Sequence, residues 1–306
     1  MSSALETLRR DFGGDIIEQG AAQYESARRS VLASGSPAYV LRPGSVADVQ
    51  AGVRFAASAG LVLSVRGGGH GFAGFGTNDG GVVIDLSKLA NVKIIDRERH
   101  LVRIGGGATW GQVAAALAPH GLAISSGDTK SVGVGGLTLT GGIGWKVRKY
   151  GLALDNVVAA EVITANGEVV HASAEENPEL FWVLQILTEV VASERSPFIA
   201  VRTVGGAVAR VTDDATAYAH RQAELMFVTT TAGPKPVVQA ARPALEAIWG
   251  RLAPHVNGAY ANFLASATEE DVAAIYPTQT YKRLAAVKRQ YDPGNLFARN
   301  HNVRPQ

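Results

Sequence analysis

Glycine crowds the stretch between residues 67 and 151 and becomes sparse after Gly206. It comes in three runs: "RGGGHG" (66–71), "IGGGATWG" (104–111) and "SGDTKSVGVGGLTLTGGIG" (126–144). Glycine loses the most backbone freedom on folding and brings no side chain to pack. Such runs are retained where backbone must approach something closely. Any one of them reads as turn chemistry or a sharp bend. Three together point to a ligand surface, because bare N–H groups in a nest hold anionic oxygens and Arg66 could add charge to a pyrophosphate. A flat ring can also lie directly on such a main chain. His70, flanked by glycines, has little local packing to satisfy. A nucleophilic imidazole held against an electrophilic cofactor fits it better than a core role.

Gly69-His70-Gly71-Phe72-Ala73-Gly74 matches the dinucleotide string G-x-G-x-x-G. That string has meaning only between a strand and the start of a helix. Here "FGTNDGG" and then "VVIDL" follow, a turn cluster and another strand. The Rossmann reading is rejected.

The chain has 306 residues, 46% hydrophobic and 18% charged, enough to bury a real core. A formal charge of +2 with no basic run gives no case for nucleic acid. There is no cysteine, which excludes disulfides, thiolate nucleophiles and iron–sulfur clusters. The seven histidines have no ligand spacing, so no metal site is expected. No apolar leader or membrane span is apparent, and the expected setting is cytoplasmic.

Residues 44–60 have apolar positions at helical spacing between strand-like "AYVLRP" and "LVLSV", with Ser45 as N-cap. Residues 108–121 repeat the pattern and again end at glycine. Residues 157–173 read as a hairpin turning at Ala165-Asn166-Gly167. Beyond residue 198, "FIAVRTVGGAVARV" and "GAYANFLA" read as strands. "DDATAYAHRQAELMF", "KPVVQAARPALEAIWGRLAPH" and "EEDVAAIYPTQTYKRLAAVKRQY" read as helices.

"VRGGGHGFAGFGTNDGGVVIDLSKL", "GVGGLTLTGGIGWKVRKYGLALDNV", "EENPELFW" and "YDPGNLFARNHNV" together resemble the berberine-bridge-enzyme-like flavin oxidases of the vanillyl-alcohol-oxidase superfamily. The resemblance implies an α+β fold: a PCMH-type FAD-binding domain of two α+β subdomains over residues 1–182, a shortened α+β substrate domain with an antiparallel sheet and helices over 183–285, and a tail, 286–306, that returns to the FAD domain. It implies FAD, tethered through His70 in the R-G-G-G-H element. Arg66, Gly67, Gly68, Gly69 and Gly71 would cradle the cofactor beside it. Val132, Gly133, Gly136, Leu137, Gly141, Gly142 and Gly144 fall on the second family loop, Val162 on the strand that meets the adenine, and Asn262 and Asn295 on C-terminal motifs. Thr129 stands where some members have a second, cysteinyl tether, so attachment would be single. Thr140 stands where the family usually has another glycine.

The implied chemistry is oxidation of an alcohol or amine C–H in a small molecule, with hydride going to flavin N5 and O2 reoxidising the flavin. Tyr260 matches a tyrosine that would take the proton, against the alternative that it only packs beneath the flavin edge. After "EENPELFW" the family's glycine-rich segment and several substrate-domain strands are missing, and "VLQILTEVVASERSP" follows instead. Unpaired strand edges would then either join a second copy, giving a homodimer, or stay partly mobile, with residues 183–192 covering the gap. A degenerate, non-catalytic flavin-fold binding protein is the alternative. A reductase fed by NAD(P)H is weaker, since no nicotinamide motif is present.

Overall fold

The computed structural model describes residues 2–31, 33–71, 74–184, 198–204, 206–223, 225–230, 239, 256–264 and 266–306. Element labels below run over these residues. Helix α1 (Ser2–Asp11) leads into β1 (Asp15–Glu18), the short α2 (Tyr24–Ala27) and β2 (Tyr39–Arg42). Then come α3 (Val46–Ala59), β3 (Leu63–Arg66) and β4 (Val82–Asp85). These strands form one sheet in the order β1-β2-β4-β3, with β1 antiparallel to β2 and the β2–β4 and β3–β4 pairs parallel. Parallel pairing needs crossovers: α3 carries the chain from β2 to β3, and residues 67–81 carry it from β3 to β4, which lies between them.

The ends of α3 follow its sequence. Ser45 Oγ accepts from Asp48 N at 3.2 Å, the Asp48 carboxylate accepts from Ser45 N at 3.1 Å, and Gly60 stops the helix at φ +63°. Leu8 of α1, Phe12 just beyond it, and Val49, Val53, Phe55 and Ala56 of α3 pack on Leu41, Leu63, Val82 and Ile84 of the sheet.

The second layer begins with the hairpin β5 (Val92–Asp96) and β6 (Leu101–Ile104) and the helix α4 (Trp110–Leu117), capped by Thr109 and Gln112. Two short helices follow, α5 (Val134–Leu139) and α6 (Val147–Tyr150). The hairpin β7 (Ala159–Ile163) and β8 (Val169–Ser173) turns where its sequence requires, with Gly167 at φ +73°. Helix α7 (Pro178–Leu184) ends this part.

The C-terminal part departs more from expectation. β9 (Phe198–Thr203) and β10 (Leu225–Thr230) form an antiparallel pair, but β9 stops before residues 204–211, and a single 3-10 turn, Val208–Arg210, follows. The helix expected over 213–227 does not form. Asp213 Oδ1 accepts from Arg221 N at 3.1 Å and Thr216 Oγ1 from Tyr218 N at 3.2 Å, so local side-chain bonds take the backbone groups that a helix would use. Residues 258–265 were expected as a strand; Ala261–Phe263 is a 3-10 turn instead. The long helix over 269–291 is two, α8 (Glu269–Ile275) and α9 (Thr278–Tyr291), broken at Pro277. The helix expected over 235–255 and most of the apolar patch at 183–192 lie outside the described residues.

One buried cluster joins both parts: Ile143, Val147, Leu152, Leu154 and Trp182 pack with Tyr218, Ala261, Ile275, Leu284 and Val303. No helix among the described residues is long and apolar enough to cross a membrane.

Candidate cofactor and active site

The three glycine runs converge. A Cβ on Gly68 would strike the backbone of Gly133, and one on Gly133 would strike Gly68 N. A Cβ on Gly67 would lie 3.2 Å from Gly106 O, and one on Gly135 3.0 Å from the same oxygen. Part of the glycine content therefore serves loop-on-loop contact, which no periodicity argument could separate from ligand contact. Gly136 is different: nothing lies within 4 Å of where its Cβ would stand, on the exposed side of α5. In the "TGGIG" turn, Gly141 and Gly142 take φ +104° and +82°, a region that side chains strain to enter. A Cβ on Gly144 would strike Ser126 O.

Arg66 does not offer its charge to a ligand. Its guanidinium donates to Ala27 O at 2.7 Å, Arg29 O at 3.0 Å and Asp85 Oδ2 at 3.0 Å, and the residue is 6% exposed. The expected pyrophosphate contact is corrected to a structural role: β3 ends with Arg66 turned inward, and a buried guanidinium needs a carboxylate and carbonyls around it. Burial would raise the Asp85 carboxyl, but the Arg66 charge and bonds from Arg66, Arg42 and Ser87 hold it below the usual range.

His70 follows Gly69, which has φ +70° and whose carbonyl accepts from Val31 N at 3.0 Å. Its Nε2 is buried and has no hydrogen-bond partner among the described residues. Burial lowers its pKa, which keeps the imidazole neutral, the form with a free lone pair. Trp110 Nε1, Thr138 Oγ1, Asn295 Oδ1, Asn300 Oδ1, His301 Nδ1 and Asn302 Oδ1 are also buried with no hydrogen-bond partner among the described residues. Folded proteins pair nearly all such atoms, so a set of this kind fits a polar ligand with many donors and acceptors, as FAD has. Sequence reasoning singled out Asn295 alone of the tail residues. The polar run "RNHN" (299–302) in an otherwise packed C-terminus was the signal for the rest.

Asp292 accepts from Leu296 N at 2.7 Å and Phe297 N at 3.1 Å, which bends the chain through Asn295 at φ +52°. Leu296 and Phe297 then pack against the α1–α3 core, and Arg299 donates to Thr77 O at 3.4 Å.

Tyr260 meets the third glycine run. Its Oη accepts from Gly142 N at 3.1 Å and from Asn262 Nδ2 at 2.6 Å. Tyr260, Tyr218, His220 and Thr140 line a cleft of about 10 Å³, close to what one water needs. Burial, then the neighbouring Tyr260, raise the Tyr218 hydroxyl well above the ordinary phenol range. Val132 and Leu137 pack under this loop against Trp110 and Val113. Val162 pairs with Val170 in the β7–β8 hairpin and packs toward Ala172 and Leu180. Thr129 is exposed, its hydroxyl on Asp128 at 3.1 Å.

Two family models match the chain. Residues 37–173 match the family model of the FAD binding domain, and residues 259–304 match that of berberine and berberine-like proteins. The (R)-6-hydroxynicotine oxidase of Paenarthrobacter nicotinovorans is 45% identical over 149 residues, 49% of this chain and 32% of that protein. The xylooligosaccharide oxidase of Thermothelomyces thermophilus is 40% identical over 153 residues, 49% of this chain and 31% of that one. The matched stretch thus spans about a third of the length of these curated relatives. The solved structure of glucooligosaccharide oxidase from Acremonium strictum, described with a 6-S-cysteinyl, 8α-N1-histidyl FAD, shares the fold at a TM-score of 0.87 and 19% identity, covering 99% of each chain. In order along the chain, then, residues 37–173 belong to the FAD binding domain family and residues 259–304 to the berberine and berberine-like family.

Proposed function

We propose that the protein is an FAD-linked oxidase acting on an alcohol or amine C–H of a small organic substrate, with O2 as the final acceptor. Residues 1–182 and the tail 286–306 hold the cofactor, and residues 183–285 shape the substrate side. The observation that carries the reading is the buried Nε2 of His70, without a hydrogen-bond partner among the described residues, in a cradle of glycines. Bound FAD supplies the electron acceptor. His70, kept neutral by burial, serves as the covalent anchor. Gly136 presents main chain with no side chain to hold the cofactor away, and Gly67, Gly68 and Gly133 let the loops beside His70 close on one another. Asn295, Asn300 and Asn302 turn otherwise unpaired side-chain oxygens to its polar edges. Tyr260 takes the proton of the substrate hydroxyl or amine at Oη, where the N–H groups of Gly142 and Asn262 stabilise the phenolate.

Acid precipitation tests the anchor. Flavin absorbance should stay with the wild-type precipitate and pass into the supernatant from His70→Ala, which still binds FAD without the bond. Freely released wild-type flavin defeats the tether. Protein that is colourless and cannot be loaded returns the chain to a non-catalytic binding role. Anaerobic stopped-flow then tests the base: Tyr260→Phe should slow flavin reduction by roughly 10²–10⁴-fold with little change in substrate affinity.

A further inference from the structure

Thr140 is 1% exposed and follows the last residue of α5. Its Oγ1 lies 2.8 Å from Gly136 O and 3.0 Å from Leu137 O, the carbonyls of the preceding turn. It also lies 2.6 Å from Asn262 Oδ1, a residue 122 positions further along the chain. A threonine hydroxyl has one proton to give, and the shortest of these contacts is the one to Asn262. Holding Oδ1 in this way leaves Asn262 Nδ2 facing Tyr260 Oη at 2.6 Å, with a weaker contact to Thr140 O at 3.4 Å. The same Oη receives the Gly142 N–H at 3.1 Å. A phenol oxygen that accepts two N–H bonds is matched to its ionised form more than to its neutral one.

We propose that Thr140 is a positioning residue: by holding Asn262 Oδ1 it commits the Asn262 amide, together with the Gly142 N–H, to donate to the Tyr260 hydroxyl oxygen. The proposal rests on the reading of Tyr260 as the proton acceptor and explains what readies it. An amide turned the other way would take the Tyr260 proton on Oδ1 and favour the neutral phenol, so the two arrangements differ in sign. Among the described residues, Tyr218 and His220 face Tyr260 across the cleft, the Phe263 ring packs on it edge-on, and the Arg221–Asp155 ion pair lies behind Tyr218. His220 Nε2 is engaged with Ala274 O at 2.9 Å, and the ion pair is internally balanced.

The test follows Tyr260 ionisation directly, in purified protein with its cofactor, from the ζ-carbon resonance of isotope-labelled tyrosine, assigned by its loss in Tyr260→Phe. Thr140→Val, which keeps shape and removes the hydroxyl, should move the midpoint upward by about one to two pH units, the size expected for one hydrogen bond to a charged group. Thr140→Ser should hold the wild-type midpoint. Asn262→Ala should reproduce the upward shift and keeps the test open if the valine variant folds poorly. A midpoint unmoved or lowered in Asn262→Ala, or in folded Thr140→Val, overturns the proposal. Shifts of the expected sign alongside unchanged flavin reduction in Tyr260→Phe would instead remove the base role and leave the positioning intact.

Discussion

The His70 side of the site and the Tyr260 side are built by opposite means. Around His70, loops meet backbone to backbone: Gly68 against Gly133, and Gly67 and Gly135 against Gly106. Their anchor is an arginine, Arg66, bonded to main-chain carbonyls and to Asp85. Around Tyr260, side chains do the holding. Thr140 meets Asn262, Asn262 meets Tyr260, and Tyr218 and Phe263 pack edge-on at ring-centre distances of 6.2 and 5.4 Å. Behind them Arg221, fully buried, joins Asp155 of the first part to Thr216 of the second. A surface of main chain can lie under a large flat cofactor of fixed shape. A surface of side chains can be altered one residue at a time, which suits a substrate side.

Like-for-like substitutions should break the symmetry between the two anchors. Arg66→Met leaves the buried carbonyls of Ala27 and Arg29 without their donor and takes one of its two guanidinium partners from the Asp85 carboxylate, and should cost about 3–5 kcal/mol in chemical denaturation. The variant should also bind little flavin, since Ala27 and Arg29 flank the strap whose Val31 N–H holds Gly69. Arg221→Met should cost less, roughly 1–3 kcal/mol, because Asp155 keeps the Leu152 N–H at 2.8 Å. Equal losses in the two variants would remove the distinction between a backbone-held and a side-chain-held half.

Acid sharpens the comparison with a smaller effect. Asp85 is held below the ordinary aspartate range, so its contribution to stability is complete above a pH of about 4 and is lost as pH falls through its folded value. Arg66→Met should flatten that acid limb of the stability–pH curve, whereas Arg221→Met should leave it in place. An acid limb unchanged in Arg66→Met would show that Arg42 and Ser87 alone hold the carboxylate.

The local chemistry of the chain was legible in the sequence. Ser45 caps α3, Gly60 and Gly121 stop their helices, and Gly167 turns the β7–β8 hairpin, because each depends on partners within a few residues. The glycine runs and His70 could be singled out for the same reason, since residue type and spacing carry the signal, whereas Tyr260 was reached only through the family resemblance. The misread segments, 213–227 and 258–265, are those where bonds to side chains outranked apolar spacing. Tertiary structure alone decided that Arg66 turns inward, that Gly68 and Gly133 touch, that Thr140 reaches Asn262, and that the asparagines of the tail arrive with unpaired oxygens. Those contacts join residues far apart in the chain, and periodicity within a window holds no information about which distant backbone will occupy the space a missing side chain leaves.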